Sequence, residues 1–207
     1  MKRIEPIAWS ALILIIVLVT VVFWRQRRPQ AASLPVISKV GDFLLTNQFG
    51  LRVTDESLGG YVWVVDVIFS RCPGQCHRLS QQMRQLQQKV PVGAPVRFIS
   101  LTADPEFDTP DVLRRYADRY GADGASWMLL TGPKAALYRL AMEGLKFSVV
   151  ETDPKQATIL EDLFIHSASF ALVDRQGRLR SMVQSEDPDS TQRILQQMQV
   201  LAGEKWK

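Results

Sequence analysis

Residues 61–69, YVWVVDVIF, run directly into RCPGQCHRL, and that second stretch holds the only two cysteines of the chain, Cys72 and Cys76. A near-continuous apolar and β-branched run, interrupted only by Asp66, suits a strand covered on both faces. The leucines, Met83 and Val90 that follow recur at helical spacing and predict an amphipathic helix over 73–89. A strand that ends in a cysteine–proline turn and opens a helix puts both sulfurs on one side. Residues four apart on a helix have Cβ atoms about 5–6 Å apart, and a helix N-terminus favours the thiolate. Such a pair can hold a soft metal ion or close into a disulfide. Three intervening residues, rather than two, set the sulfurs a full turn apart. That separation favours a metal clip and leaves a disulfide near the upper end of its usual Cα range of about 4.4–6.8 Å.

The rest of the chain places this turn in a fold. Upstream, 42–46 and 51–54 predict a small hairpin around NQFG. Downstream, 96–101 reads as a second buried strand. The loop TADPEFDTP follows it, then a helix over 111–120 opened by Thr109 as cap and Pro110 as first residue. A strand at 127–130, a helix at 133–142, an irregular stretch to 162, a hairpin of 168–173 with 179–183 around DRQG and a final helix at 188–201 complete the pattern. Alternating β and α units that end in a hairpin and a covering helix predict an α/β, thioredoxin-like architecture.

Residues 7–24 form an 18-residue run without a charge. At about 1.5 Å per residue it nearly crosses a hydrocarbon core of about 30 Å, which predicts an N-terminal transmembrane helix. The run exceeds a signal-peptide core, and arginines rather than a cleavage site follow it. The expected organisation is an anchor with basic flanks at 1–28, a tether rich in Pro, Ala and Ser at 29–39, and a folded domain over 40–207. The net charge of +4 is misleading, because five of the 25 basic and one of the 21 acidic residues fall within 1–28, leaving 20 of each in the remainder. Charges in that remainder are interspersed, with no basic stripe of the kind nucleic-acid binding needs.

Two thiolates leave a metal site incomplete, and the chain has two histidines. His77 follows Cys76 directly and should point about 100° around the helix axis, away from the sulfurs; it reads as a solvated helix residue. His166 precedes the strand SASFALV, which in a thioredoxin-like sheet neighbours the central strand, and it is the better third ligand. Two thiolates and one imidazole suit trigonal copper better than four-coordinate structural zinc. Asp104, Glu106 and Asp108 lie among prolines at a helix start and read as turn and cap residues rather than a hard-cation loop. The methionines read as core filler.

The combination of CPGQC after a strand, LTADPEFDTPDVLRRYADRYGAD, and HSASFALVDRQG resembles the Sco/SenC family of copper proteins involved in cytochrome c oxidase assembly. The resemblance implies Cys72, Cys76 and His166 as ligands of a copper ion in a thioredoxin-like domain held outside the membrane. It also implies a partner in the copper-bearing oxidase subunit or another copper chaperone. The implied place is the bacterial inner membrane with the domain in the periplasm, or, in a mitochondrion, the intermembrane-space side. The family role is copper delivery to the dinuclear copper centre, reduction of that centre's cysteines, or both; for the reductase, Cys72 would attack a partner disulfide and Cys76 resolve the mixed species. Two positions depart from the family pattern. His77 stands where proline often follows the second cysteine, and Ile165 replaces an acidic residue before the histidine, which removes a carboxylate from the ligand's surroundings.

Overall fold

Strand β4 (Val62–Ile68) is buried at every position because neighbouring strands flank it on both sides and its two faces are both covered. A computed structural model describes residues 9, 14, 16, 17, 34–151, 164–166 and 168–203. Residues 34–207 form one compact unit. The eight-stranded sheet runs in the order β1 (Ser38–Lys39), β10 (Arg178–Gln184), β9 (Ser169–Val173), β4, β5 (Val96–Thr102), β6 (Trp127–Thr131), β2 (Leu44–Asn47), β3 (Arg52–Thr54). Its parallel centre is β4, β5 and β6; β9 runs antiparallel on the other side of β4 and pairs in turn with β10. Beyond β6 lies the predicted hairpin, β2 and β3. Gly50, at φ 76°, supplies the left-handed turn residue.

Helix α1 (Gln75–Lys89) connects β4 to β5 and buries Cys76, Leu79, Ser80, Met83 and Leu86 along one stripe. Helix α2 (Pro110–Tyr120) connects β5 to β6 and buries Leu113, Tyr116, Ala117 and Tyr120. Both ends of α2 match their sequence signals. The Thr109 hydroxyl accepts the Val112 N–H, Pro110 occupies the first turn, and Gly121 closes the helix at φ 75° with its N–H on the Ala117 carbonyl. Helix α4 (Ser190–Gly203) packs on β9, β10 and α1. Gln82 links the helices by donating to Ser190 Oγ at 2.8 Å.

Three features differ from expectation. The helix predicted over 133–142 is split into α3 (Lys134–Tyr138) and a π-helical turn, Arg139–Gly144. The Leu145 N–H reaches back to the Leu140 carbonyl, and the Ser38 hydroxyl holds the Gly144 carbonyl at 2.8 Å. The tether segment supplies β1 (Ser38–Lys39), paired with β10, and Arg180 anchors the chain before it through the Leu34 and Pro35 carbonyls. The irregular stretch contributes β7 (Val149–Glu151), which pairs with β8 (Phe164–His166) in a separate two-stranded ribbon. Among the described residues no helix is long and apolar enough to cross a membrane; the run at 7–24 lies almost wholly outside them.

Candidate metal centre

Leaving β4, the chain turns at once, with the Cys72 N–H on the Phe69 carbonyl at 3.1 Å. Helix α1 starts only at Gln75, so Cys72 lies in the turn and the regular helical spacing predicted for the pair does not apply. The two cysteines nevertheless meet, because the Cys76 backbone N–H donates to Cys72 Sγ at 3.4 Å. The N-cap residue, Gly74, has no side chain to accept such a hydrogen, so the Cys72 sulfur takes a donor that a capping oxygen would otherwise satisfy. Both thiols are covered, Cys72 at 3% exposure and Cys76 at 0%, and they are not bridged.

The expectation that the helix start favours a thiolate is reversed at Cys76. Its hydrogen bond with Cys72 pushes the thiol pKa up, and burial and the charges of Cys72 and Asp66 push it in the same direction. Cys76 therefore keeps its proton until a metal or a second sulfur replaces it.

The acidic loop is more than a turn. Asp108, fully buried, accepts the Ser70 N–H at 3.1 Å, the Thr102 hydroxyl at 2.5 Å and the Ser70 hydroxyl. Asp104 takes the Arg71 guanidinium at 2.5 Å, and that guanidinium also lies 4.3 Å over the Phe107 ring. The two carboxylates thus hold the two residues that precede Cys72. Thr109 does the capping, while Glu106 is exposed and only approaches Lys134 at 4.0 Å. Sequence reading missed this clamp, although the spacing DPEFD right after a buried strand was its signal.

Two further residues are engaged in ways the sequence did not disclose. His77 is half-buried rather than solvated: its Nδ1 shares a hydrogen bond with the Tyr120 hydroxyl, and its ring stacks on Tyr116 at 6.3 Å and 17°. Asp66 has no exposure and neither carboxylate oxygen finds a hydrogen-bond partner. Burial pushes its carboxyl up from 3.8 to about 7, and Ser100 stands opposite it in register on β5. Asp66 also raises Tyr116 and Cys76 electrostatically.

His166 ends β8, opposite Val149; β9, which pairs with β4, begins three residues later at Ser169. The His166 side chain lies outside the described residues. Among those described, no three Cys, His, Asp or Glu side chains gather to hold a metal. Two adjoining sulfurs are nevertheless a soft donor pair of the kind that binds thiophilic ions.

A thioredoxin-like domain with two covered, unbridged thiols where the central parallel strand meets its helix is a dithiol protein suited to soft-metal or disulfide chemistry. The chain belongs to the SCO1/SenC family, whose model matches residues 32–202. It is 34% identical over 147 residues to the SCO1 protein homolog of Bacillus subtilis, covering 70% of this chain and 73% of that one. A Stutzerimonas stutzeri protein proposed to bind copper is 30% identical over 158 residues, 74% of each chain. The solved structure of BsSco, described as a member of the Sco family of cytochrome c oxidase assembly proteins with a disulfide switch, matches with a TM-score of 0.70 at 29% identity, covering 83% of this chain and 98% of that one.

Proposed function

We propose that this chain is a membrane-anchored copper metallochaperone that holds one copper ion through Cys72, Cys76 and His166 and delivers it to the dinuclear copper centre of cytochrome c oxidase during assembly. The observation that carries the reading is the sulfur of Cys72 lying against the backbone of Cys76, with both thiols covered and unbridged. The chain's family and the copper assigned to its Stutzerimonas relative support it. The apolar run at 7–24 serves as the anchor, and the domain faces the bacterial periplasm; the intermembrane-space side of a mitochondrial inner membrane is the alternative. The residues fit a soft cargo ion: two thiols surrender their protons to it, and His166 completes a trigonal set. The Asp104–Arg71 and Asp108–Ser70 contacts keep the turn in place while a partner's thiolates displace the three ligands one at a time.

A second reading, a membrane-tethered thiol-disulfide reductase, draws on the same pair. Cys72 attacks a partner disulfide, and Cys76, the thiol that keeps its proton, resolves the mixed species. The disulfide switch described for BsSco favours keeping it in view.

One experiment separates the two. The reduced chain is loaded with one equivalent of copper and mixed with the metal-free, reduced copper-bearing domain of the oxidase, and the visible absorption of the dinuclear centre is followed. The chaperone reading expects the absorption to appear with the native chain and to fall away with His166→Ala. Absence of transfer, together with reduction of an oxidised acceptor domain by the metal-free chain at the expense of its own two thiols, would establish the reductase instead.

A further inference from the structure

The first turn of α1 has an unusual weakness. Gly74 offers no capping oxygen and the turn carries no acidic residue. The His77 and Arg78 N–H groups reach the Gly74 carbonyl at 3.1 and 3.4 Å, whereas the Cys76 N–H reaches the Cys72 sulfur. One hydrogen bond of the helix start thus uses the sulfur that a metal or a disulfide would engage. Once that sulfur is bound into a disulfide, its hold on the N–H weakens, and a helix end that loses its cap frays.

Helix α2 supplies what is missing. The Tyr120 hydroxyl bonds His77 Nδ1, and the Tyr116 hydroxyl donates to the Cys76 carbonyl at 3.4 Å and lies 2.9 Å from Ser80 Oγ. The two tyrosine rings lie 5.0 Å apart, with His77 stacked on the first. Tyr116 is buried, and α2 itself is fixed at both ends by Thr109 and Gly121. The contacts therefore come from a firm support and land on Cys76 and the residue after it.

We infer that His77, Tyr116 and Tyr120 form a lateral brace that stands in for the missing N-cap and positions Cys76 whether or not the Cys72 sulfur remains available to it. The inference rests on Cys72 and Cys76 being the working pair. It assigns a positioning role to His77, the residue directly after Cys76.

The test uses the full chain with Tyr120→Phe, which removes only a hydroxyl, His77→Leu, the double variant, and His77→Asn, whose side-chain amide can meet the Tyr120 hydroxyl as donor or as acceptor. The first readout needs no metal. With oxidised glutathione, Cys72 attacks one sulfur and releases one glutathione thiolate; Cys76 then attacks the Cys72 sulfur and releases the second. Two protein thiols are oxidised, and one glutathione disulfide becomes two thiols that carry away the protons. The second readout is the rate of copper loss to excess chelator, and the third is the urea unfolding midpoint.

The brace predicts that Tyr120→Phe slows the closing step and speeds copper loss, each by about three- to tenfold, the worth of one hydrogen bond. The double variant should be no worse than His77→Leu alone, and His77→Asn should recover most of the native rates. Unchanged closing and release rates with a lowered unfolding midpoint, or fully additive effects, would overturn it. If the native chain retains no copper, the chaperone reading fails, and the closing rates still decide the brace.

Discussion

Replacing Asp66 with asparagine should make the protein less sensitive to alkaline pH, because the native carboxyl is buried in the central strand without a partner for either oxygen. Burial raises it from 3.8 to about 7. In the unfolded chain it returns to its ordinary value, so between those two pH values the unfolded state has released a proton that the folded state still holds. The stability tied to this group is complete below about pH 4 and is lost as pH rises through 7. A difference of about three pH units, at 1.36 kcal/mol each, sets the loss at about 4 kcal/mol by pH 8.

Asparagine cannot ionise, but it adds a buried donor that costs about 1 kcal/mol at any pH. Asp66→Asn should therefore be about as stable as the native chain at pH 4.5 and about 3 kcal/mol more stable at pH 8. Urea unfolding followed by tryptophan fluorescence at pH 4.5, 6, 7 and 8 measures the difference, and the pH dependence of every other group cancels in it. A difference that stays flat across this range would show that Asp66 is ionised throughout and would refute the reasoning. The same substitution removes one of the charges that raise Cys76, so Cys76 should react faster with thiol reagents.

Asp108→Ala leaves the Ser70 N–H, the Ser70 hydroxyl and the Thr102 hydroxyl without their acceptor; it should cost about 2–4 kcal/mol and speed alkylation of Cys72 in a stopped assay. Thr109→Ala removes the cap of α2 and should lower stability by about 1 kcal/mol in the same urea titration, with little effect on thiol reactivity. Because Cys76 keeps its proton in the apoprotein, copper loading must expel it; apparent copper affinity, measured against a competing chelator, should rise with pH by at least about tenfold per unit between pH 6 and 8.

The order of strands and helices was readable because each carried its own local signal. The unbroken apolar run of β4, the Thr109–Pro110 start and Gly121 stop of α2, and the glycine turn between β2 and β3 act within a few residues. Elements held by distant partners were not readable in this way. β1 is two residues long and exists through its pairing with β10. The π-helical turn is tied by Ser38, more than a hundred residues earlier.

The same division applies to the site. The CPGQC turn announced the dithiol, but the buried burden on Cys76 comes from Cys72, its covering and a charge on β4. His77 was assigned to solvent because nothing within α1 reveals that Tyr116 and Tyr120 will arrive beside it. Asp104 and Asp108 carried a true turn signal that masked their second duty, which depends on Ser70 and Arg71 across a strand-to-strand gap.

The proposed copper site requires His166 to join the two cysteines at one metal ion. The most direct measurement is copper stoichiometry and competitive affinity on the reduced full chain in mild detergent, native and His166→Ala side by side. One tightly held copper per native chain, bound at least about tenfold more weakly after the substitution, is the predicted result. No retained copper in the native chain, or equal affinity in both, would contradict it.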